Sequence, residues 1–189
     1  MDVAADPVAA AFAAVPRSNF LPRSARWRAD YDGPLSIGAG QTNSQPRTVD
    51  DMLRLLQVEP GMRVLDVGAG SAWTTALLAH LVGERGCVVG VELVPSIAEF
   101  GSANLARTPY RHASIRVATP GVLGVPEEGP YDRILVSAEA RSVPEELVDQ
   151  LVDGGRMVVP VRGTMLLVRR EGSEIRTSEH GSYRFVPLR

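Results

Sequence analysis

The sequence predicts a doubly wound α/β domain with a mostly parallel sheet and an antiparallel carboxyl-terminal edge. Three observations predict it. From residue 63 to 161, short apolar runs of strand character alternate with stretches of helical spacing. A glycine turn, Gly68-Ala69-Gly70, separates the first of these strands from its helix, and beyond residue 161 only strand-like segments remain.

Each element has its own signal. Residues 7–14, PVAAAFAA, suit a short helix with Pro7 in its first turn. Residues 15–45 are rich in Pro, Gly, Asp and Ser and keep no period, which in a compact domain points to a binding segment. Pro46 then opens a helix in which Val49, Met52, Leu53 and Leu56 recur at helical spacing. RVLDV (63–67) reads as a buried strand and SAWTTALLAHLV (71–82) as the helix packed on it. CVVGVE (87–92), SIRVA (114–118) and YDRILVSA (131–138) are further strands, with helices expected over 95–105 and from 144 to about 151. GRMVVPV (155–161) is the fifth strand, entered through Gly154-Gly155, and TMLLVRR, SEIRT and YRFVPL read as short strands joined by turns. In such a sheet ligands bind beyond the carboxyl ends of the strands, so the loops at 67–71, 92–94, 118–126 and 138–143 are the candidates for function.

Composition narrows the chemistry. With 189 residues, 44% hydrophobic, and a formal net charge of −2, the chain fits one domain with no global field favouring nucleic acid or a membrane surface. The single cysteine, Cys87, excludes a disulfide framework and a Cys-rich zinc site, and reads as an inert core residue. His80, His112 and His180 form no metal-binding pair; His80, in an apolar helix, reads as structural. All twenty basic residues are Arg, which removes a Walker-type lysine and Schiff-base chemistry. No apolar run approaches the ~20 residues of a membrane span, and the amino-terminal MDVAADP is acidic, unlike a signal peptide. A cytoplasmic protein without nucleic-acid or membrane partners is expected.

The strongest motif is VLDVGAGSAW, residues 64–73. Gly68 and Gly70 permit a tight turn and close approach of a ligand. The third glycine of a nicotinamide-dinucleotide fingerprint is replaced by Trp73, whose bulk disfavours a pyrophosphate. Glu92 ends the next strand, where an acid can accept both hydroxyls of a ribose. Asp66 suits either a cationic amino group or the bracing of loop amides. Together these features favour a ligand that carries adenosine and lacks a pyrophosphate.

The DVGAG block with Glu92 resembles the signature of S-adenosylmethionine-dependent methyltransferases of the doubly wound, Rossmann-like fold. PLSIGAGQTNSQP (34–46) is similar to the substrate loop of protein-L-isoaspartate O-methyltransferases. FLP at 20–22, PYDRILVSA, VPEELVDQL, GGRMVVPV and a closing RFVPL follow in family order, so the likeness spans about 17–189. The resemblance implies a cytoplasmic, monomeric repair enzyme that transfers a methyl group from S-adenosyl-L-methionine to the free carboxylate of L-isoaspartyl residues in proteins or peptides. In that family the ester collapses to a succinimide whose hydrolysis returns part of the material to aspartate. Carried over by position, Ser44 and Thr42 are the catalytic candidates, and Gln41 and Asn43 the substrate-binding ones. Asp66, Gly68, Ala69, Gly70 and Ser71 would hold the methionyl end of the cofactor. Glu92 and Leu93 would meet the ribose, with Thr119, Pro120 and Gly121 by the adenine. The single domain of 1–189 then divides into a substrate-side segment, 1–45, and a cofactor-binding core, 46–189.

The sequence departs from the family pattern at several of these places. Thr119-Pro120-Gly121 stands where Gly-Asp-Gly is common, Ala72 where a glycine is, and Asn43 where an aliphatic residue is. Arg47 follows the loop proline, and Arg141-Ser142 replaces a segment that is more often Pro-rich and acidic. These departures leave two alternatives: an enzyme that methylates a defined Asp of a precursor peptide, or a non-catalytic adenosyl-ligand binder. Thr42, Asn43 and Ser44 can also be read as caps of the helix that begins at Pro46. Phe20, Trp27 and Tyr31 are either a wall of a peptide groove or local core.

Overall fold

Strict alternation of buried side chains decides the architecture of the computed structural model, which describes residues 6–189. Residues 1–5, most of the MDVAADP segment, lie outside the described residues. The central strands are β3 (Arg63–Val67), β4 (Cys87–Glu92), β6 (Tyr131–Val136) and β7 (Leu151–Val161), with β5 (Ala113–Val117) outside β4. Val64, Val88, Leu135 and Val158 point to one face, and Leu65, Val89, Ile134 and Met157 to the other. Both faces are dry, so these strands read as continuous apolar runs. Each such side chain contributes about 1.5–3 kcal/mol on burial.

The seven-stranded sheet has the order β5-β4-β3-β6-β7-β8-β9, in which β8 (Thr164–Glu171) and β9 (Glu174–Ser182) form the carboxyl-terminal edge. The first five strands are parallel and the last two antiparallel. α1 (Pro7–Ala14), α2 (Pro46–Leu56) and α3 (Trp73–Val82) cover the first face together with Leu105 of α4 (Pro95–Leu105). Val125, Leu147 and Val148 cover the second, the last two from the single-turn α5 (Glu145–Val148). β3 pairs with β4 on one side and β6 on the other, so the chain reverses its direction of travel across the sheet here. The loops that follow these strands therefore part and leave a crevice.

The structure departs from the sequence expectations at four places. Residues 34–43 form a small hairpin of β1 (Leu35–Gly38) and β2 (Gln41–Asn43), too short to show a period. The helix expected from residue 71 starts at Trp73, because Ala72 takes a left-handed φ of 73°. The helix expected to reach residue 151 stops at Val148, since Leu151 already pairs with Tyr131 as the start of β7. YRFVPL is not a strand; it is tied down by a bridge between Glu139 and Pro187 and by the Tyr183 amide donating to the Gly163 carbonyl at 2.8 Å.

α2 is capped across the fold. None of Thr42, Asn43 and Ser44 caps it; its N-cap is Gln45, without a side-chain cap bond, and the Arg47 amide donates to Asp32 Oδ1 at 3.1 Å. That backbone bond is the main reason the Asp32 carboxyl is held below the usual range. Phe20 is core, whereas Trp27 (82% exposed) and Tyr31 face solvent. Among the described residues no helix is long and apolar enough to cross a membrane.

α4 packs against the glycine turn so closely that a Cβ on Gly101 would lie 2.6 Å from the Gly70 carbonyl oxygen. Gly101→Ala should therefore destabilise the protein by about 1–3 kcal/mol from overpacking, despite alanine's better helix propensity. Denaturant unfolding checks this: an unchanged or higher midpoint would show that α4 can shift away from the turn.

Candidate active site

The crevice at the carboxyl ends of β3, β4, β5 and β6 is a cavity of about 770 Å³, ample for a nucleoside-sized ligand. Its floor is the turn after β3. Gly68 and Gly70 have φ of +80° and +53°, a region that favours glycine. The Gly68 and Ala69 amides both donate to the Val91 carbonyl, at 2.8 and 3.1 Å, which ties the turn to β4. Asn104 of α4 fixes the far end by donating to the Ser71 carbonyl at 3.0 Å.

Glu92 is buried, yet it lines the cavity. Its Oε2 accepts the Gly70 amide and its Oε1 the Val94 amide, both at 2.9 Å. Each oxygen keeps a free lone pair, so the carboxylate is aimed and still able to accept two hydroxyls. Leu93, Ala118, Val122 and Leu123 supply an apolar wall beside it. Thr119, Pro120 and Gly121 do not line the cavity; the Thr119 carbonyl accepts the Val122 amide at 3.0 Å and closes a turn that brings Val122 to the wall.

Asp66 is fully buried and does not reach the cavity. Its Oδ2 accepts the hydroxyls of Thr75 and Thr74, at 2.7 and 2.8 Å, while Oδ1 has no partner among the described residues. It therefore pins the first turn of α3 and does not brace loop amides. Burial lifts its carboxyl from 3.8 to about 6, against the two threonine hydroxyls. Ala69 and Ser71 are also buried away from the cavity, Ala69 against β4, where a Cβ on Gly90 would come within 3.0 Å of it.

The opposite wall is the hairpin. Gln41, Thr42 and Ser44 line the cavity, whereas Asn43 points inward. Arg17, which nothing in the sequence singled out, holds this wall in place. Its Nε donates to Asn43 Oδ1 at 2.6 Å. Nη1 reaches the carbonyls of Ala29 (3.3 Å) and Tyr31 (2.8 Å), and Nη2 those of Gly33 (2.8 Å), Asn43 (3.1 Å) and Ser44 (2.8 Å). The guanidinium lies 5.4 Å from the Trp73 ring centroid, and Trp73 Nε1 donates to the Val15 carbonyl. The indole that replaces the third glycine thus anchors the amino-terminal segment. Burial pulls Arg17 down to about 10, still charged at neutral pH.

Residues 182–189 close the cavity from the sheet edge. The Tyr183 hydroxyl donates to Asp51 Oδ2 at 2.9 Å, the Glu139 amide to the Val186 carbonyl at 2.7 Å, and the Leu188 amide to the Glu139 carbonyl at 2.8 Å. The RFVPL block was legible as a motif, but its place over the cavity was not.

One cavity thus combines a carboxylate aimed by two amides, a glycine turn, an apolar wall and the hydroxyl-bearing residues Thr42 and Ser44. These features fit an adenosyl cofactor and define an S-adenosylmethionine-dependent methyltransferase. The profile of the family described as Protein-L-isoaspartate(D-aspartate) O-methyltransferase matches residues 2–189. A protein-L-isoaspartate O-methyltransferase from Methanopyrus kandleri is 46% identical over 186 residues, covering 96% of this chain and 82% of its own. A solved protein-L-isoaspartate O-methyltransferase superposes with a TM-score of 0.86 at 30% identity over 97% of this chain, which spans 61% of that longer one. Another, from Plasmodium falciparum in complex with S-adenosyl-L-homocysteine, gives 0.85 at 26% identity over 99% and 92% of the two chains. The chain belongs to the protein-L-isoaspartate O-methyltransferase family: it is an enzyme that methylates isoaspartyl residues of proteins with S-adenosylmethionine.

Two outcomes test this site. Glu92→Gln replaces one amide-accepting oxygen by a donor, so S-adenosylhomocysteine should bind about tenfold more weakly or worse by calorimetry; wild-type affinity would remove Glu92 from the cofactor site. Asp66 titrates higher in the folded than in the unfolded chain, so the stability it contributes is full below about pH 4 and lost as pH rises through about 6. The difference in unfolding free energy between wild type and Asp66→Asn should accordingly fall across that window and be flat above it.

Proposed function

We propose that Ser44 and Thr42 hold the isoaspartyl carboxylate while Glu92, Gly68, Gly70 and Leu93 hold the adenosyl cofactor, in one closed reaction chamber. The observation that carries this is the placement of both hydroxyls and the Glu92 carboxylate on the same cavity. When bound, S-adenosylmethionine supplies an electrophilic methyl group on a sulfonium centre. A substrate carboxyl with a pKa near ~4 is already ionised at neutral pH, so the protein needs no general base. The Ser44 and Thr42 hydroxyls donate to the carboxylate and orient it without protonating it. A cation there would bind the carboxylate more tightly and blunt it as a nucleophile. Gln41, beside them, offers an amide to the neighbouring peptide backbone. Holding two reactants in line is worth up to about 7–11 kcal/mol of the barrier.

Residues 182–189 and the hairpin exclude water, which leaves the carboxylate less hydrated and more reactive. Behind the cavity, Asp66 Oδ2 accepts from Thr74 and Thr75 and fixes the start of α3, and the buried Ser71 Oγ accepts from Asn43. The apolar wall from Ala118 to Leu123 takes the base without the family's acidic residue, since Pro120 stands outside the cavity. We read the chain as a monomer that divides into a substrate-side segment, 1–45, and a cofactor-binding core, 46–189. The relatives share one name, which supports repair of isoaspartyl damage over tailoring of a precursor peptide or ligand binding without catalysis.

Incubation with S-adenosylmethionine and matched isoaspartyl and aspartyl peptides should add one methyl group, read by mass spectrometry, to the isoaspartyl peptide alone. Methylation of the aspartyl peptide instead would turn the reading toward tailoring. Ser44→Ala should lower turnover more than it weakens cofactor binding, and Glu92→Ala should do the reverse. Equal effects of both changes on both parameters would undo this division of roles.

A further inference from the structure

We propose that Asn43 is a positioning residue that couples the substrate hairpin to the cofactor turn through a buried polar bridge, Arg17–Asn43–Ser71. The inference rests on the methyl-transfer reading of the cavity and adds a residue that never touches it. Asn43 is buried and does not line the cavity, although its neighbours Thr42 and Ser44 do. Its Oδ1 accepts from Arg17 Nε at 2.6 Å, and its Nδ2 donates to Ser71 Oγ at 3.1 Å. Ser71 directly follows Gly70, whose amide donates to Glu92, and its own carbonyl accepts Asn104 Nδ2 from α4. One amide side chain therefore spans from the backbone that carries Ser44 to the backbone that aims Glu92.

An aliphatic side chain at position 43 could fill the space but could not make either bond. It would strip Arg17 Nε of its acceptor and free Ser71 Oγ, each now a buried polar group without a partner. The hairpin would still be held by the carbonyl bonds of Arg17, so the loss falls on alignment between the two walls and not on the existence of either. In-line transfer is sensitive to such alignment, because a displacement of about 1 Å can cost on the order of 100-fold in rate.

Three variants decide it. Asn43→Leu removes both bonds at similar volume. Asn43→Asp keeps an acceptor for Arg17, and its second oxygen can accept from a Ser71 hydroxyl that turns to donate, so the bridge survives. Asn43→Leu should lower kcat for an isoaspartyl peptide by about tenfold or more while KM moves by less than about threefold, and should weaken S-adenosylhomocysteine binding about threefold or more. Asn43→Asp should restore kcat and the calorimetric Kd to within about threefold of wild type. Equal losses in the Leu and Asp variants would overturn the proposal. So would an Asn43→Leu protein that melts earlier yet keeps wild-type kcat and Kd, since that is the behaviour of a purely structural residue. If Asn43→Leu does not fold, Ser71→Ala cuts the same link from its other end, and wild-type kcat in that variant overturns the proposal. A wild-type protein that binds S-adenosylhomocysteine but methylates no isoaspartyl peptide removes the methyl-transfer reading; the Kd values of the Leu and Asp variants then decide the bridge alone.

Discussion

A buried guanidinium with no carboxylate partner among the described residues organises the substrate side of this enzyme. Arg17 is 6% exposed and donates six hydrogen bonds to the carbonyls of residues 29, 31, 33, 43 and 44 and to the Asn43 amide oxygen. Taking that charge out of water is costly, and hydrogen bonds to a charged donor, worth about 1.5–3 kcal/mol each, are what offset the cost. Because those acceptors lie on segments far apart in sequence, the charge is satisfied only when all of them converge. The irregular stretch from residue 15 to 45 is thereby given one arrangement without any long helix or strand of its own. Trp73 closes the arrangement from below, with its ring facing Arg17 and Phe12 meeting it edge-on at 5.5 Å.

The cofactor side is built on the opposite logic. There the backbone does the positioning, through the parallel register of β3 with β4 and β6 and the left-handed φ of Gly68 and Gly70. Two amides aim the Glu92 carboxylate, and α4 approaches the turn so tightly that Gly101 can carry no side chain without a shift. The two walls differ in origin: one is woven into the sheet, the other is held by the Arg17 clamp and by the burial of Leu35 and Ile37 against Leu21 and Ile97. The two are joined by the Asn43–Ser71 hydrogen bond and by the packing of Leu35 and Ile37 with Ile97 of α4.

Periodicity made the sheet and α1 to α4 legible, because dry strands and amphipathic or buried helices impose regular apolar spacing. The glycine turn and Glu92 were legible for a related reason: a strand, a turn and an acid at fixed spacing leave little geometric freedom. Gln41, Thr42 and Ser44 were singled out through the likeness of their block to a substrate loop, and all three line the cavity. Asn43 was read in the same block as a substrate contact, yet its side chain turns inward, where Arg17 Nε and Ser71 Oγ take its two polar atoms. Thr119, Pro120 and Gly121 stood in the expected adenine position, but the turn they form presents Val122 instead. The capping of α2 by Asp32 and the clamp by Arg17 had no local signal, since both join residues more than ten positions apart.

The sequence by itself determined the order of strands and helices, the cofactor turn, the acid opposite it and the membership in a methyltransferase family. Those features depend on residues adjacent or evenly spaced along the chain, where local sterics and burial leave few choices. Only the tertiary structure decided which face of the hairpin meets the cavity, what closes the cavity and how the two walls are held at a fixed distance. These depend on polar side chains that must find buried partners across the fold, a requirement that has no period and is met only once the whole chain has folded.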